Sequence, residues 1–165
     1  MKRVSVGLLA CFLLTVLAMA HQPGEEETSV ELGKGKVTIH YGTPTLGDRN
    51  LGDMIKPGLA WRMGMNNPTT IETTVDLEFG GRKLPAGKYS LFARSDENKN
   101  WTLLISSGMK TMLDPSTVVL ETPLHFMRAD ESQDLLKIVL EKNAAGASLT
   151  VAWGTYRLHG TFKAA

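Results

Sequence analysis

Between Trp61 and Thr69 the sequence gathers an indole, a guanidinium, a side-chain amide and a hydroxyl within one short stretch, Trp61-Arg62-Met63-Gly64-Met65-Asn66-Asn67-Pro68-Thr69. Trp61, Arg62, Asn66 and Thr69 are residue types that hold a sugar, a carboxylate or a peptide end. The ring offers an apolar face, the guanidinium a planar fork, and the amide and hydroxyl fix orientation. The same residues also suit a structural role. Trp61 can anchor a core, Arg62 can pair with Asp76 or Glu72, and Asn66 and Thr69 can close a turn through backbone hydrogen bonds.

A second set points to soft-metal chemistry. Cleavage after Ala20 would leave His21 as the amino terminus, where the α-amine and imidazole together can chelate copper. Met63-x-Met65, Met109-x-x-Met112 and His125-x-Met127 have spacings suited to thioether coordination of Cu(I), and His40 and His159 could complete a Cu(II) site. The copper alternative therefore rests on His21, Met109, Met112, His125 and Met127; otherwise no cofactor is expected. Methionine also fills irregular cores, and single strand histidines serve structure.

Catalytic signatures are sparse. Glu72, Asp76 and Glu78 alternate along one strand face and could act as an acid pair or bind calcium, although an outward polar face has the same pattern. The chain has no Gly-x-Ser-x-Gly elbow, no His-Glu-x-x-His pair and no phosphate-cradling glycine loop. A triad dispersed over His40, His125 or His159 stays open, as does a hydrolase built on the acid pair. The expectation is a binding protein rather than an enzyme.

Strands must position these groups. Val37, Ile39 and Tyr41 alternate with Thr38 and His40, and Ile71, Thr73, Val75, Leu77 and Phe79 alternate with Glu72, Thr74, Asp76 and Glu78, the period of half-buried strands. Further strands are predicted over 88–94, 101–106, 118–126, 135–141, 148–153 and 156–162. The alternation of Leu136, Ile138 and Leu140 favours strand over helix there. Gly80-Gly81 marks a two-residue hairpin, since glycine accepts the positive φ of the primed turns. Pro85-Ala86-Gly87 marks a fixed turn, with Tyr89 as a corner residue bonding nearby backbone. Gly64, Pro85, Gly87, Tyr89 and Trp101 form the structural motif. Eight or nine short strands without a long helix predict an all-β fold, an antiparallel β-sandwich of jelly-roll or immunoglobulin-like type.

The chain of 165 residues suits one domain, placed at 28–165 after a signal peptide over 1–20 and a disordered leader over 21–27. Lys2 and Arg3, the apolar run from Val4 to Leu17 and Ala18-Met19-Ala20 form the signal pattern, which predicts a periplasmic or secreted protein. Phe12 to Leu17 continue the apolar run beyond Cys11, which argues against a lipoprotein. Loss of Cys11, the single cysteine, leaves a mature chain that holds together without disulfides. With 18 Lys and Arg against 17 Asp and Glu, no concentrated positive field supports nucleic-acid binding. No apolar run reaches the roughly 20 residues of a membrane span. The expected partner is a small polar ligand or an envelope protein.

The Trp61–Ile71 segment, followed by Leu84-Pro85-Ala86-Gly87-Lys88-Tyr89-Ser90-Leu91-Phe92 and Trp101-Thr102, resembles the secreted bacterial family catalogued as domain of unknown function 2911. The resemblance lies in a Trp-Arg-x-Gly-x-Asn-x-x-Thr run, a strand ending in Gly, a Pro-Ala-Gly-x-Tyr turn and a following Trp, and it extends from Val37 to Trp153. It implies export and a β-rich fold, with no activity to transfer. Asn67 and Pro68 depart from the family pattern, which has an acidic and a small residue there. That departure removes a carboxylate from the loop.

Overall fold

The computed structural model describes residues 24–165; the expected signal segment and His21 lie outside the described residues. Among the described residues nine strands form one antiparallel sheet: β1 (Glu25–Leu32), β2 (Gly35–Gly42), β3 (Thr70–Thr73), β4 (Leu77–Phe79), β5 (Arg82–Leu84), β6 (Gly87–Ser95), β7 (Trp101–Ser106), β8 (Val118–Asn143) and β9 (Gly146–Ala164). One helical turn, α1 (Leu51–Met54), is capped by Asn50, whose side chain accepts from the Gly52 amide. The order β1-β2-β3-β6-β7-β8-β9-β4-β5 is a meander from which the β4–β5 hairpin has been carried to the far edge. The fold is all-β, as the alternation of apolar residues predicts.

The sheet coils until β8 faces β1 and β2. The Leu140 amide donates to Thr28 Oγ1 at 3.1 Å and the Tyr41 hydroxyl donates to the Ile138 carbonyl at 3.3 Å, so the second half of β8 lies over β1 and β2. Val37, Ile39, Ile71, Leu91, Leu103, Ile138, Leu149 and Val151 are buried in the core thus enclosed. Their period of two along each strand carries them to the same side.

Gly80 and Gly81 have φ of 55° and 84°, as a type I′ hairpin turn requires, and they join β4 to β5 with Phe79 opposite Arg82. The Tyr89 hydroxyl donates to the Pro85 carbonyl at 3.0 Å, which is the expected corner. Two expectations need correction. Glu25 to Glu27, read as leader, are paired in β1 opposite Gly42, Tyr41 and His40. Their charges are tolerated because β1 is an edge strand and they have partners: Glu26 accepts from Tyr41, and Glu27 lies 3.3 Å from His40. The single strand expected over 70–79 is broken. Thr73 Oγ1 binds both the amide and the carbonyl of Val75, and Asp76 accepts from the Ala86 amide. These local bonds turn the chain from β3, between β2 and β6, to β4, beside β9.

β8 and β9 are longer than any predicted strand because both change direction without leaving the ladder. Thr150 Oγ1 lies 3.2 Å from His159 Nδ1, and a Cβ on Gly146 would come within 2.4 Å of the Phe162 carbonyl oxygen. β9 therefore doubles back between these points, at Gly154 with φ 51°. Its two arms match the two strands expected at 148–153 and 156–162. Opposite this reversal β8 carries extra residues: Arg128 pairs with Tyr156, Gln133 with Gly154 and Lys137 with Ala152. Such bulges bend a ladder and leave part of its backbone unpaired.

Candidate functional site

The Trp61 loop runs from the core surface to β3. Trp61 exchanges both backbone hydrogen bonds with Ala93 at 2.8 Å, which fixes it beside β6. Its ring is half-buried, stacked on Trp153 at 5.9 Å and edge-on to Trp101 at 6.5 Å. Arg62 Nη1 donates to the Asn66 carbonyl at 3.4 Å, and the buried Thr69 hydroxyl donates to the Met63 carbonyl at 3.0 Å. Met63 and Asn66 adopt positive φ of 50° and 59°. Gly64 is required here, since a Cβ would meet Thr69 Oγ1 at 2.5 Å. Glu72 pairs with Lys88 rather than Arg62, and Asp76 serves the 85–87 turn. The Asn67 amide donates to Glu25, a contact that an acidic residue at 67 would replace by repulsion between carboxylates. The four loop residues share a neighbourhood in which Arg62 and Thr69 are bonded to the loop's own backbone.

The aromatic contacts continue away from this loop. Trp101 stacks on Phe126 at 5.7 Å, and Tyr156 meets both edge-on at 6.1 and 5.1 Å. The five rings of Trp61, Trp101, Phe126, Trp153 and Tyr156 close one end of the core, and two guanidinium groups cover their outer rim. Arg128 lies 5.3 Å from the centre of the Tyr156 ring, and Arg49 lies 5.9 Å from that of Trp153. Both are within cation–π range.

A cleft of about 310 Å³ opens where the β8 bulge and the β9 reversal part. It is lined by Leu46, Asn50, Leu51, Gly52, Arg128, Ser132, Gly154, Thr155 and Tyr156. Three local features hold it open. Gly154 admits α1, since a Cβ there would lie 2.7 Å from Leu51 and 3.0 Å from Leu46. Arg157 donates to the Gly154 and Tyr156 carbonyls at 2.8 and 2.9 Å and to the Glu131 carbonyl at 3.0 Å, riveting bulge to turn. Asp134 accepts from the Gly47 amide, and its carbonyl accepts from the Trp153 indole at 3.1 Å. Arg49 is tied by Nε to the Leu46 carbonyl at 3.0 Å, whereas no carboxylate among the described residues pairs with Arg128. The cleft therefore offers a cation, an amide, two hydroxyls and an apolar floor of leucine and tyrosine. These groups could contact a small polar ligand.

Arg128, Tyr156, Asn50 and Ser132 carry no local motif that marks them as site residues in the sequence. The available signal was the polar interval 128–133, too long for a tight hairpin and without Gly or Pro. The metal candidates separate. Met109 and Met112 lie exposed in the connection between β7 and β8, 46% and 79% accessible. His125 and Met127 follow Leu124, which pairs with Trp101 at the other end of the same ladder. At about 3.3 Å per residue the two sets are on the order of 20 Å apart. No group of three His, Cys, Asp or Glu that could hold a metal occurs among the described residues.

Among the described residues three ionisable groups are shifted. Burial pushes the Tyr41 phenol up to about 12, and the neighbouring Glu26 carboxylate adds to the rise. Hydrogen bonds from Asn100 hold Asp96 below the usual carboxylate range, and bonds from Ser116 do the same for Asp114. All three lie outside the cleft and serve sheet closure and loop caps.

An antiparallel β-sheet coiled around one core, with an arginine-rimmed aromatic end, defines the class. Residues 23–162 match the family described as Protein of unknown function (DUF2911), and the chain belongs to that family. Comparison with curated proteins and with solved structures found no match. Among the described residues no helix is long and apolar enough to cross a membrane.

Proposed function

We propose that this protein binds a small polar ligand without transforming it, in the cleft between Arg128 and α1. The observation that carries the proposal is the position of Arg128. Its guanidinium has no carboxylate partner among the described residues, yet it is held over Tyr156 at the mouth of a preformed cleft. A guanidinium placed in this way recognises a carboxylate through paired N–H donors. Asn50, Ser132 and Thr155 supply donors and acceptors suited to hydroxyl groups. The ligand class is a hydroxylated carboxylate such as a sugar acid. Asp130 and Glu131 are exposed on the same bulge, so recognition depends on direct contact rather than on a broad positive field. Trp61 supports this site from behind through Trp153, while Arg62 braces its own loop.

Binding takes place outside the cytoplasm if the amino-terminal segment acts as the signal that its pattern predicts. Mass spectrometry of the exported chain checks this, with a mature terminus at His21 expected. For the site, D-glucuronate is titrated against the protein with D-glucose as the uncharged control, followed by calorimetry and by tryptophan fluorescence. The expected result is preference for the acid, abolished in Arg128→Ala. Equal response to both sugars, or an unchanged preference in Arg128→Ala, contradicts the proposal.

A further inference from the structure

The outer face of β8 and β9 carries a feature that the cleft does not use. His125 and His159 are direct partners in the antiparallel ladder, and both are exposed. Directly opposed residues in such a pair project from the same face with Cβ atoms about 4.5–5.5 Å apart. Two imidazoles at that spacing can bind one ion in cis. His159 is already oriented: its Nδ1 lies 3.2 Å from Thr150 Oγ1. When Nδ1–H donates to that hydroxyl, the Nε2 lone pair is left for a metal, an outer hydrogen bond of the kind that fixes metal-binding histidines. Met127 follows two residues after His125, on the same strand face, and is 53% accessible. No carboxylate among the described residues forms an ion pair with His125 or His159.

We propose that His125 and His159 form a two-imidazole site for one divalent late transition metal ion, Cu(II) foremost, with water in the remaining positions and Met127 as an adjacent soft donor. Imidazole suits copper, nickel and zinc, and for a fixed donor set copper stands highest in the divalent series. The site stands apart from Met109 and Met112, which lie at the other end of the β7–β8 ladder. It is independent of ligand binding in the cleft.

The test uses the full mature chain carrying His21→Ala, which removes the competing amino-terminal chelate. Cu(II) and Ni(II) are titrated by calorimetry, and the copper-loaded protein is examined by electron paramagnetic resonance. The expected result is one ion per chain, with nitrogen coupling from two imidazoles. His125→Ala and His159→Ala should each weaken binding at least about tenfold, and Thr150→Val should weaken it less. Paramagnetic broadening by Cu(II) in the His21→Ala chain serves as a readout that needs no further substitution: resonances of residues 125–127 and 157–161 should broaden before those of 107–114. Uptake unaffected by either histidine substitution, loss with only one of them, or first broadening elsewhere overturns the proposal.

Discussion

The Trp61–Thr69 loop and the Arg128–Tyr156 cleft lie against the same aromatic cluster and carry similar chemistry, an arginine beside a ring with an amide and hydroxyls close by. They differ in where those groups are spent. In the loop, Arg62 bonds to the Asn66 carbonyl and Thr69 to the Met63 carbonyl. In the cleft the bracing is done by Arg157 and Asp134, which leaves Arg128 uncommitted to any carboxylate among the described residues. Residue types therefore do not locate a site by themselves. On the proposed reading, a site forms where other residues have already satisfied the backbone, so that a charged group can face solvent or ligand. The β8 bulge does this by breaking the ladder while Arg157 collects the carbonyls that the break frees.

The contrast can be broken most forcefully at Gly154. Gly154→Val places a branched side chain at φ 51° and against Leu51 and Leu46. A loss of about 2–4 kcal/mol in urea unfolding is expected from strain and overpacking, together with loss of glucuronate binding. Arg157→Ala should come next, at about 1.5–3 kcal/mol, since it removes charge-assisted bonds to three carbonyls. It should weaken ligand binding too, by loosening the bulge against the turn. Thr69→Val sharpens the comparison from the other side. It strands the buried Met63 carbonyl at a cost of about 1–2 kcal/mol, yet should leave glucuronate affinity unchanged. A Thr69→Val variant with intact stability and lost affinity would reverse the roles of loop and cleft.

A smaller effect concerns the closure that holds the far half of β8 in place. The Tyr41 phenol has its pKa raised to about 12 in the fold, so the neutral form is the one the fold favours. Its contribution is complete below the ordinary phenol value near 10 and is lost as pH rises from there to about 12. Urea midpoints measured across that window should fall. Tyr41→Phe should flatten part of the fall while lowering stability at neutral pH by about 1 kcal/mol.

Much of the fold was legible in the sequence because apolar alternation and paired glycines are local signals. Ile39, Ile71 and Leu91 lie in the core as their spacing requires, and Gly80-Gly81 makes the expected hairpin. The break at Thr74–Asp76 was not legible, because the side-chain bonds of Thr73 and Asp76 override an alternation that runs unbroken through it. The pairing of Glu25–Glu27 was hidden for a related reason. A charged edge strand is stabilised by partners such as Tyr41 and His40 that are distant in sequence. Arg62 and Thr69 stood out because they are close together in sequence. Arg128 and Asn50 meet only through the coiling of the sheet. The opposition of His125 and His159 depends on a ladder register that the bulged β8 shifts, which no local pattern records.

The central claim, that the cleft rather than the loop is the binding site, is tested most directly by titrating D-glucuronate into the parent chain, Arg128→Ala and Arg62→Ala side by side. Each substitution removes one arginine and one exposed contact, the 3.4 Å bond of Arg62 or the ring contact of Arg128, and should cost stability no more than about 1 kcal/mol. The expected result is binding lost by at least about tenfold in Arg128→Ala and retained in Arg62→Ala. Retention in Arg128→Ala with loss in Arg62→Ala would place recognition in the Trp61 loop and contradict the account.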